Sequence, residues 1–434
     1  MTNVVGTPPT SLEPPPAAGS TEAAASAASN NSRPIPPANT GSAFLNLLAN
    51  VSTRFVQLER RFDPFFRPAF DALMQKPLTR LATALINAQR KNEGYKIAEE
   101  REIAGEAESL QSIIDTFKQQ MAGLWKPGGY ERGGNTKTHG IVRAEFIVHD
   151  DLPMQFRRGI YAEPKTYKAW VRFSGPGPYV TPDIDDVGFM SISIKLLGVP
   201  GPKLMDEEKN TLDMFGVSTP TFVTPDTVAN AHLQKASLQN ASIFHFLNLS
   251  QPHALDLVMQ ALWIKTQSSP FEAPYFSCVP YLLGEGQAMQ YSVWPKSNKK
   301  TRIPNIPGRP PDDYLRQAMI ASLNAGDVDF DIRLQLQTDP FLMPIENNAV
   351  YWPERLSPRV SVATLRIPKQ TFASPAQLQF AKRLSYNPWH TIAEHRPLGN
   401  QSRARNRMYW ELAEFRHRMN RVPHYEPTGD ETFE

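Results

Sequence analysis

The sequence has little of several features that would assign a protein to a class at once. Its 434 residues include a single cysteine, Cys278, which excludes an internal disulfide and a zinc or iron–sulfur site built from cysteines. No run of about 18 apolar residues occurs, so we expect no membrane-spanning helix. The N-terminus lacks a basic segment followed by an apolar one, so no secretory signal is expected, and we predict a cytoplasmic protein.

An excess of charge of one sign is also missing. The formal net charge is +3 and the charges are interspersed, so we expect no nucleic-acid partner. The hydrophobic fraction of 41% is ordinary for a globular protein and allows a sizeable core. What the chain does have is proline, 40 residues in all, much of it in the N-terminal segment and in loops between short predicted strands.

The first part of the chain divides into two segments. Residues 1–40 are rich in Pro, Ala, Ser, Thr and Asn and have almost no large apolar side chains, which predicts disorder. Residues 41–124 form a predicted amphipathic helical region, in which a stripe of apolar residues recurs at helical spacing between residues 44 and 70. This stripe either packs on the protein's own barrel or contacts an external surface, which is a membrane or a hydrophobic partner, and the sequence leaves both interpretations open.

Beyond Trp125 the apolar pattern changes to the period of two that is typical of strands. The predicted strands are Gly140–His149, Ala169–Ser174, Gly188–Leu197, Thr221–Val223, Ala288–Trp294, Val328–Gln337 and Arg359–Ile367. The predicted helices are Gly41–Arg90, Ala98–Ala122, Asp226–Leu247, His253–Gln267, Pro311–Ala325, Ser374–Leu384 and Asn400–Met419. We therefore predict an α+β fold, an antiparallel β-barrel with helices around it, over residues 125–422, followed by a short tail at 423–434.

One histidine stands at the start of the first predicted strand. A turn containing Gly133 and Gly134 leads to His139, and the strand follows directly. By itself this histidine is either a group that moves protons at the mouth of the β-core or a turn residue that bonds locally. Other histidines have no spacing typical of metal ligands, and we interpret them as structural: His149, His232, His245 and His253.

Several separated stretches, taken in order, resemble the haem catalases and catalase-like bacterial and fungal proteins. The resemblance extends from about residue 125 to 420. It is carried by the stretches Glu131–Gly140, Trp170–Ser174, Val187–Lys195, Leu212–Gly216, Thr219–Phe222 and Lys382–Tyr386, and by His395, Arg396, Leu398 and Gly399. The fold that the resemblance implies is the catalase-type antiparallel barrel, and the implied cofactor is haem b.

The resemblance also implies roles for residues on the distal side of the haem. His139 corresponds to the distal acid/base, and Ser174 corresponds to the serine that orients it. Thr138 precedes the histidine as in catalase-related allene oxide synthases, which act on fatty-acid hydroperoxides. Phe222 is expected in the distal wall, and Arg172 is expected to face a haem propionate.

On the proximal side the resemblance implies that Tyr386 is the axial iron ligand. Lys382 or Arg383 would favour the ionised form of its phenol. The sequence departs from the catalase pattern here, because Pro388 stands where an aspartate is usual. His390 is therefore an alternative iron ligand.

Two further departures bear on the substrate. Val217 follows Gly216 where catalases have an asparagine, and Thr136 stands where an arginine is expected. A less polar distal pocket favours organic or lipid hydroperoxides over hydrogen peroxide. The implied function is a haem-dependent hydroperoxidase. The alternatives are a catalase proper and a non-catalytic haem- or lipid-binding protein with the same fold. Assembly into a homo-oligomer is also expected.

Overall fold

A computed structural model describes residues 32–186, 188–248 and 250–433, and within them nine β-strands form one sheet that closes on itself. The strands are β1 (Thr138–Val148), β2 (Thr166–Ser174), β3 (Ser191–Leu197), β4 (Thr211–Val217), β5 (Tyr275–Phe276), β6 (Tyr281–Leu282), β7 (Ala288–Pro295), β8 (Val328–Leu336) and β9 (Val360–Ile367). Their hydrogen-bonded order is β5-β4-β3-β2-β1-β9-β8-β7-β6. A further antiparallel pairing of β5 with β7 closes eight of them into a barrel and leaves β6 outside the ring. The predicted antiparallel barrel is confirmed.

The interior of the barrel is filled by side chains. Val142, Val171 and Phe173 belong to the main buried cluster, as expected from the alternation of side chains along paired strands. The Phe173 ring packs against Phe271 at 5.2 Å and Phe330 at 6.3 Å between ring centroids. Because an eight-stranded barrel is only wide enough for side chains or one small ligand, this packing leaves the outer face of the sheet as the place for a larger cavity.

Helices surround the barrel. The described helices are α1 (Ala43–Phe70), α2 (Lys76–Ala88), α3 (Glu106–Leu124), α4 (Thr227–Leu238), α5 (Ile243–Phe246), α6 (Ala254–Trp263), α7 (Tyr314–Ala325), α8 (Pro375–Arg383) and α9 (Asn400–Asn420), and a π-helical turn, Asp71–Gln75, joins α1 to α2. Side-chain caps explain several of the starting points. The Asp226 carboxylate accepts a hydrogen bond of 2.8 Å from Ala229 N, and Ser374 Oγ accepts one of 3.2 Å from Gln377 N.

Two predicted elements are wrong in detail. Thr221–Val223 was predicted as a strand, but these residues lie in a loop, and β4 ends before them. Pro220 and Pro225 bound this short run and lack the amide hydrogen that a sheet needs. The helix predicted from Ala98 begins at Glu106, after Gly105 with its left-handed φ of +78°. Strand β4 and the two-residue strands β5 and β6 were absent from the predicted strands.

Both ends of the described chain are hydrogen-bonded to the rest of the protein. Arg33 N donates to Val180 O at 2.8 Å and Asn39 N donates to Gln239 O at 2.9 Å, so the predicted disorder does not extend over residues 33–39. Residues 1–31 lie outside the described residues. At the other end, a Glu431 carboxylate oxygen accepts from Trp170 Nε1 at 3.0 Å. The predicted C-terminal tail is therefore bonded to β2.

The apolar stripe of α1 does not pack on the barrel, which contradicts one of the two interpretations left open by the sequence. Its residues, among them Phe44, Phe55 and Phe65, are exposed. Among the described residues, no helix has both the length and the apolar character that crossing a bilayer requires.

Candidate active site

A cavity of about 310 Å³ lies between the outer face of the sheet and the C-terminal helix α9. Strand β2 contributes Arg172 to its wall, β4 contributes Phe215 and Val217, and α9 contributes Met408 and Arg416. This volume is at the lower end of the range typical of small-molecule sites. The cavity is therefore a candidate small-molecule site.

The charged side chains in the described wall are four arginines, namely Arg132, Arg172, Arg405 and Arg416, and this part of the wall has no Asp, Glu, His or Lys. Burial, together with the charge of Arg132, lowers the pKa of Arg172 and of Arg416 well below the usual arginine range. Buried charges of one sign are costly unless they are paired. The wall is therefore suited to an anionic ligand, since arginine forms paired hydrogen bonds with carboxylates.

Arg172 is held in place by β1. Thr138 Oγ1 accepts hydrogen bonds from Arg172 Nε at 3.1 Å and from Nη2 at 2.8 Å. The Asn135 carbonyl oxygen accepts a third from Nη2 at 2.6 Å. Thr138 was expected among the catalytic residues, but it does not line the cavity and instead orients the arginine that does.

Two other arginines are bonded to the segment before Tyr386. Arg132 Nη2 donates to the carbonyl oxygens of Ala381 and Leu384, while its Nη1 is buried with no hydrogen-bond partner among the described residues. Arg416 Nη2 donates to Leu384 O at 3.1 Å and to Ser385 Oγ at 2.9 Å. These bonds fix the backbone that carries Tyr386 against the cavity.

Tyr386 lines the cavity, and its hydroxyl is buried without a hydrogen-bond partner among the described residues. Burial raises the pKa of this phenol to about 12, although the charges of Arg172, Lys195 and Arg132 act in the opposite direction. The Lys195 ammonium lies 5.2 Å from the centroid of the tyrosine ring. A buried hydroxyl without a partner is costly, so this atom is a candidate ligand position.

His139 lies outside this cavity, which overturns its expected position on the distal side of a haem held by Tyr386. It sits where the register of β1 against β2 shifts, between Thr138 and Gly140. Successive residues of a strand point to opposite faces, and since Thr138 contacts Arg172 on the cavity side, His139 points away from it.

A second group of buried residues surrounds His139. Its Nδ1 lies 3.7 Å from an Asp183 carboxylate oxygen, and the same oxygen pairs with Lys137 Nζ at 2.6 Å. Neither ring nitrogen has a hydrogen-bond partner among the described residues. Burial, with the charges of Lys137 and Arg316, lowers the His139 pKa well below its usual value. The imidazole is therefore neutral in this position.

Asn135 lines the cavity where the histidine was expected. Its side-chain oxygen accepts a hydrogen bond of 2.7 Å from Ser191 Oγ. Arg132, which also lines the cavity, stands three residues before Asn135, and this is the spacing that catalases show between an arginine and the distal histidine. That spacing was the signal in the sequence that would have identified both residues.

Of the other residues expected on the distal side, some line the cavity and one lies between strands β1 and β2. Phe222 lines the cavity as expected, and the Arg405 guanidinium lies 5.0 Å above its ring. Val217 lines it as well. Ser174 is buried opposite Thr138 in the β1–β2 pairing, outside the cavity, so it cannot orient a distal group there.

The residues expected to ionise Tyr386 are placed elsewhere. Lys382 Nζ pairs with Glu131 at 2.5 Å, and the Arg383 guanidinium lies 4.5 Å from the Tyr425 ring. Neither lines the cavity. The cations that act on the phenol are Arg172, Lys195 and Arg132, none of which was assigned this role from the sequence.

His390, the alternative iron ligand, also lies outside the cavity. Its Nδ1 is 3.0 Å from an Asp213 carboxylate oxygen. Glu208, Asp213 and His390 bring their ligand atoms close enough together to hold a metal ion. However, Lys195 Nζ already pairs with both carboxylates, at 2.7 Å from Asp213 and in contact with Glu208, so the cluster is neutralised by the protein itself.

Solved structures of known proteins share this architecture. The chain superposes on a fungal catalase with a TM-score of 0.53 and 14% identity, over 79% of this chain and 69% of that one. It superposes on catalase A from Saccharomyces cerevisiae with a TM-score of 0.54 and 15% identity, over 80% of this chain and 72% of that one. The fold is that of the catalases. No protein-family model and no curated protein sequence matches the chain, so the likeness to catalases extends to the fold alone.

Proposed function

We propose that this protein binds haem b in the arginine-lined cavity, where Tyr386 would hold the iron, and that it is a catalase-like haem enzyme that acts on organic hydroperoxides. One observation carries the proposal. The buried Tyr386 hydroxyl has no hydrogen-bond partner among the described residues and lies in the wall of a cavity whose charged side chains are arginines.

The residues of the wall fit a haem. Haem b carries two propionate groups, and Arg132, with its unpartnered Nη1, and Arg172 offer guanidinium groups to them. Phe215, Phe222 and Met408 supply apolar contacts for the macrocycle. The position of Tyr386 supplies a phenolate ligand of the kind found in catalase haem sites.

A bound ferric haem supplies the two-electron chemistry with peroxides that the protein side chains cannot perform. The chain's own contribution begins with the phenol. Tyr386 must lose its proton to act as a ligand, and Arg172, Arg132 and Lys195 stabilise the resulting negative charge. Thr138 holds Arg172 in the orientation that this requires.

Asn135 supports a substrate other than hydrogen peroxide. Because its side-chain oxygen already accepts from Ser191 Oγ, its amide nitrogen is the atom left to donate to a peroxide oxygen. An amide donates a hydrogen bond but does not take up and return a proton as an imidazole does. We therefore expect slow turnover overall, with alkyl hydroperoxides favoured because Val217 and Phe222 give their apolar part a place in the wall.

The test uses the full-length protein purified after expression with added haem. We expect a Soret band with the charge-transfer bands of a tyrosinate-ligated ferric haem, and faster consumption of cumene hydroperoxide than of hydrogen peroxide. Tyr386→Phe should lose the charge-transfer bands, while Tyr409→Phe, a change of the same kind in the same wall, should keep them. A wild-type protein without a Soret band would refute the proposal.

A second function, haem binding without turnover, is favoured by the lack of an imidazole or a carboxylate in the described part of the cavity wall. It predicts the same spectrum as the leading proposal. It also predicts that neither cumene hydroperoxide nor hydrogen peroxide is consumed above the rate of free haem. The two functions are therefore separated by turnover, measured on samples of equal haem content.

A further inference from the structure

The outward face of α1 and of the turn that follows it carries an apolar stripe that no part of the described chain covers. Its members within α1 recur every three or four residues, and Leu73 continues the same face in the turn after α1. Their exposed fractions are Phe44 67%, Leu47 60%, Val51 55%, Phe55 68%, Leu58 56%, Phe62 49%, Phe65 62% and Leu73 72%. A contiguous apolar surface of this kind is typical of an interaction site.

The polar side of α1 faces the protein and fixes the helix in this orientation. Arg67 is buried and donates to the carbonyl oxygens of Ala261, at 3.1 Å, and Leu262. The buried Asp63 carboxylate accepts from Thr266 N. The helix cannot rotate to bury its phenylalanines without breaking these bonds, so the exposure of the apolar stripe is built into the fold.

The charges beside the apolar stripe are of one sign. Between residues 43 and 92, the exposed charged side chains are the cations Arg54, Lys76, Arg80 and Lys91. The acidic groups of this stretch are buried or half-buried, and Asp71, for example, is paired with Arg67 and Lys265 at 2.7 Å each. Cations next to phenylalanine and leucine side chains are the composition of helices that lie in the interface of an anionic membrane.

We propose that α1 and the turn after it bind the surface of a bilayer that contains anionic lipids. The apolar stripe inserts below the headgroups and the flanking cations contact the lipid phosphates. With 28 residues, α1 extends over about 42 Å in the plane of the bilayer. The contact is peripheral, and it does not depend on the haem chemistry proposed above.

Other occupants fit the apolar stripe less well. A second copy packed on the stripe would bring two surfaces of the same sign together, because each carries the cations Arg54, Lys76 and Arg80, and like charges repel. The first 31 residues carry few large apolar side chains, namely Met1, Val4, Val5 and Leu12. These are too few to cover a stripe that contains five exposed phenylalanines, Phe44, Phe55, Phe62, Phe65 and Phe66.

The test is flotation of the full-length protein with vesicles of phosphatidylcholine alone or with phosphatidylglycerol added. We expect binding to the anionic vesicles, and a loss of at least about tenfold in Phe55→Ser/Phe62→Ser because two large apolar groups leave the bilayer. Replacing Arg54 and Arg80 by glutamate should lower vesicle binding about fivefold for each positive charge removed. High salt should weaken the binding of the wild type in the same direction, because it screens these charges. Met154→Ser/Trp410→Ser, which changes two exposed apolar residues outside the stripe, is the matched control and should bind as the wild type does.

Circular dichroism and the unfolding temperature establish that each variant is folded before flotation. The proposal is overturned if the wild type floats with neither kind of vesicle, or if the double Phe variant floats as well as the control. It is also overturned in favour of a second copy if light scattering shows a wild-type oligomer that the double Phe variant converts to a monomer while vesicle binding is unchanged.

Discussion

The carbonyl oxygen of Asn135 accepts a hydrogen bond of 2.6 Å from Nη2 of Arg172, and both residues line the same cavity. The bond joins the loop before β1 to the strand β2 that pairs with it. Under the proposed haem site, Asn135, four residues before His139, takes the place in the cavity wall at which a distal histidine was expected. The chemistry expected of the cavity changes accordingly, because an amide replaces an imidazole.

The first prediction concerns Asn135→His. An imidazole at this position would provide the acid/base group that the described wall lacks, and such a group contributes about 10²- to 10⁴-fold to proton-transfer steps. We expect at least about a tenfold rise in hydrogen peroxide consumption by the haem-loaded protein, measured as oxygen release. Gln234→His, which places an imidazole elsewhere in the same wall, is the control. Equal gains in both variants would remove Asn135 from the distal position.

Thr138→Val tests the orientation of Arg172. The hydroxyl of Thr138 accepts two hydrogen bonds from the guanidinium, and hydrogen bonds to charged groups contribute about 1.5–3 kcal/mol. We expect the affinity for haem, measured by titrating haem into the haem-free protein, to fall about tenfold. Thr166→Val, at the exposed start of β2, should leave it unchanged. An unchanged affinity in Thr138→Val would mean that Arg172 does not contact the cofactor.

His139→Ala separates the two positions proposed for the distal group. The His139 ring is buried beside Asp183 and outside the cavity, so we expect the haem spectrum and the peroxide turnover to change by less than about twofold. The free energy of unfolding should fall by about 1–3 kcal/mol, a typical cost for a buried truncation, and denaturant titration measures it. A large loss of turnover at full haem occupancy would restore His139 as a catalytic residue.

His139 also illustrates how much of the site the sequence could predict. The period-two pattern and the ordered motifs predicted the barrel, and they placed Arg172, Phe222 and Tyr386 in what proved to be the cavity wall. His139 was misplaced because the strand register shifts between Thr138 and Gly140, and no sequence pattern marks such an irregularity. The pair Arg132 and Asn135 keeps the spacing expected of the arginine and the distal histidine, but it contains no histidine that would mark the site in the sequence.

The partners of Tyr386 could not be predicted for a different reason. Arg416 lies 30 positions along the chain from the tyrosine, on a helix whose many arginines look alike in sequence. Only the packing of α9 shows that Arg405 and Arg416 reach the cavity, whereas Arg403 pairs with Glu100, Glu106 and Glu346. Long-range ion pairs of this kind depend on tertiary contacts and leave no local pattern.

The last prediction concerns the stability of the protein between pH 6.5 and 9. Burial alone would lower the pKa of His390, but hydrogen bonds to Asp213 and Glu207 raise it to about 9 from 6.5. Three further titratable groups lie around this ring, namely Lys195, Glu208 and His424. Because the pKa is higher in the folded protein, the stabilisation is fully present below pH 6.5, decreases above it and is lost as the pH passes 9.

The size of this effect follows from the two pKa values. The shift from 6.5 to about 9 corresponds to a decrease of about 3 kcal/mol in the free energy of unfolding across this range. Urea titrations of the haem-free protein at several pH values measure this change in the free energy of unfolding. His390→Asn should flatten the profile, whereas His232→Asn, which changes an exposed histidine, should leave the slope intact. A wild-type profile that is already flat from pH 6.5 to 9 would show that His390 is not held in its charged form by the two carboxylates.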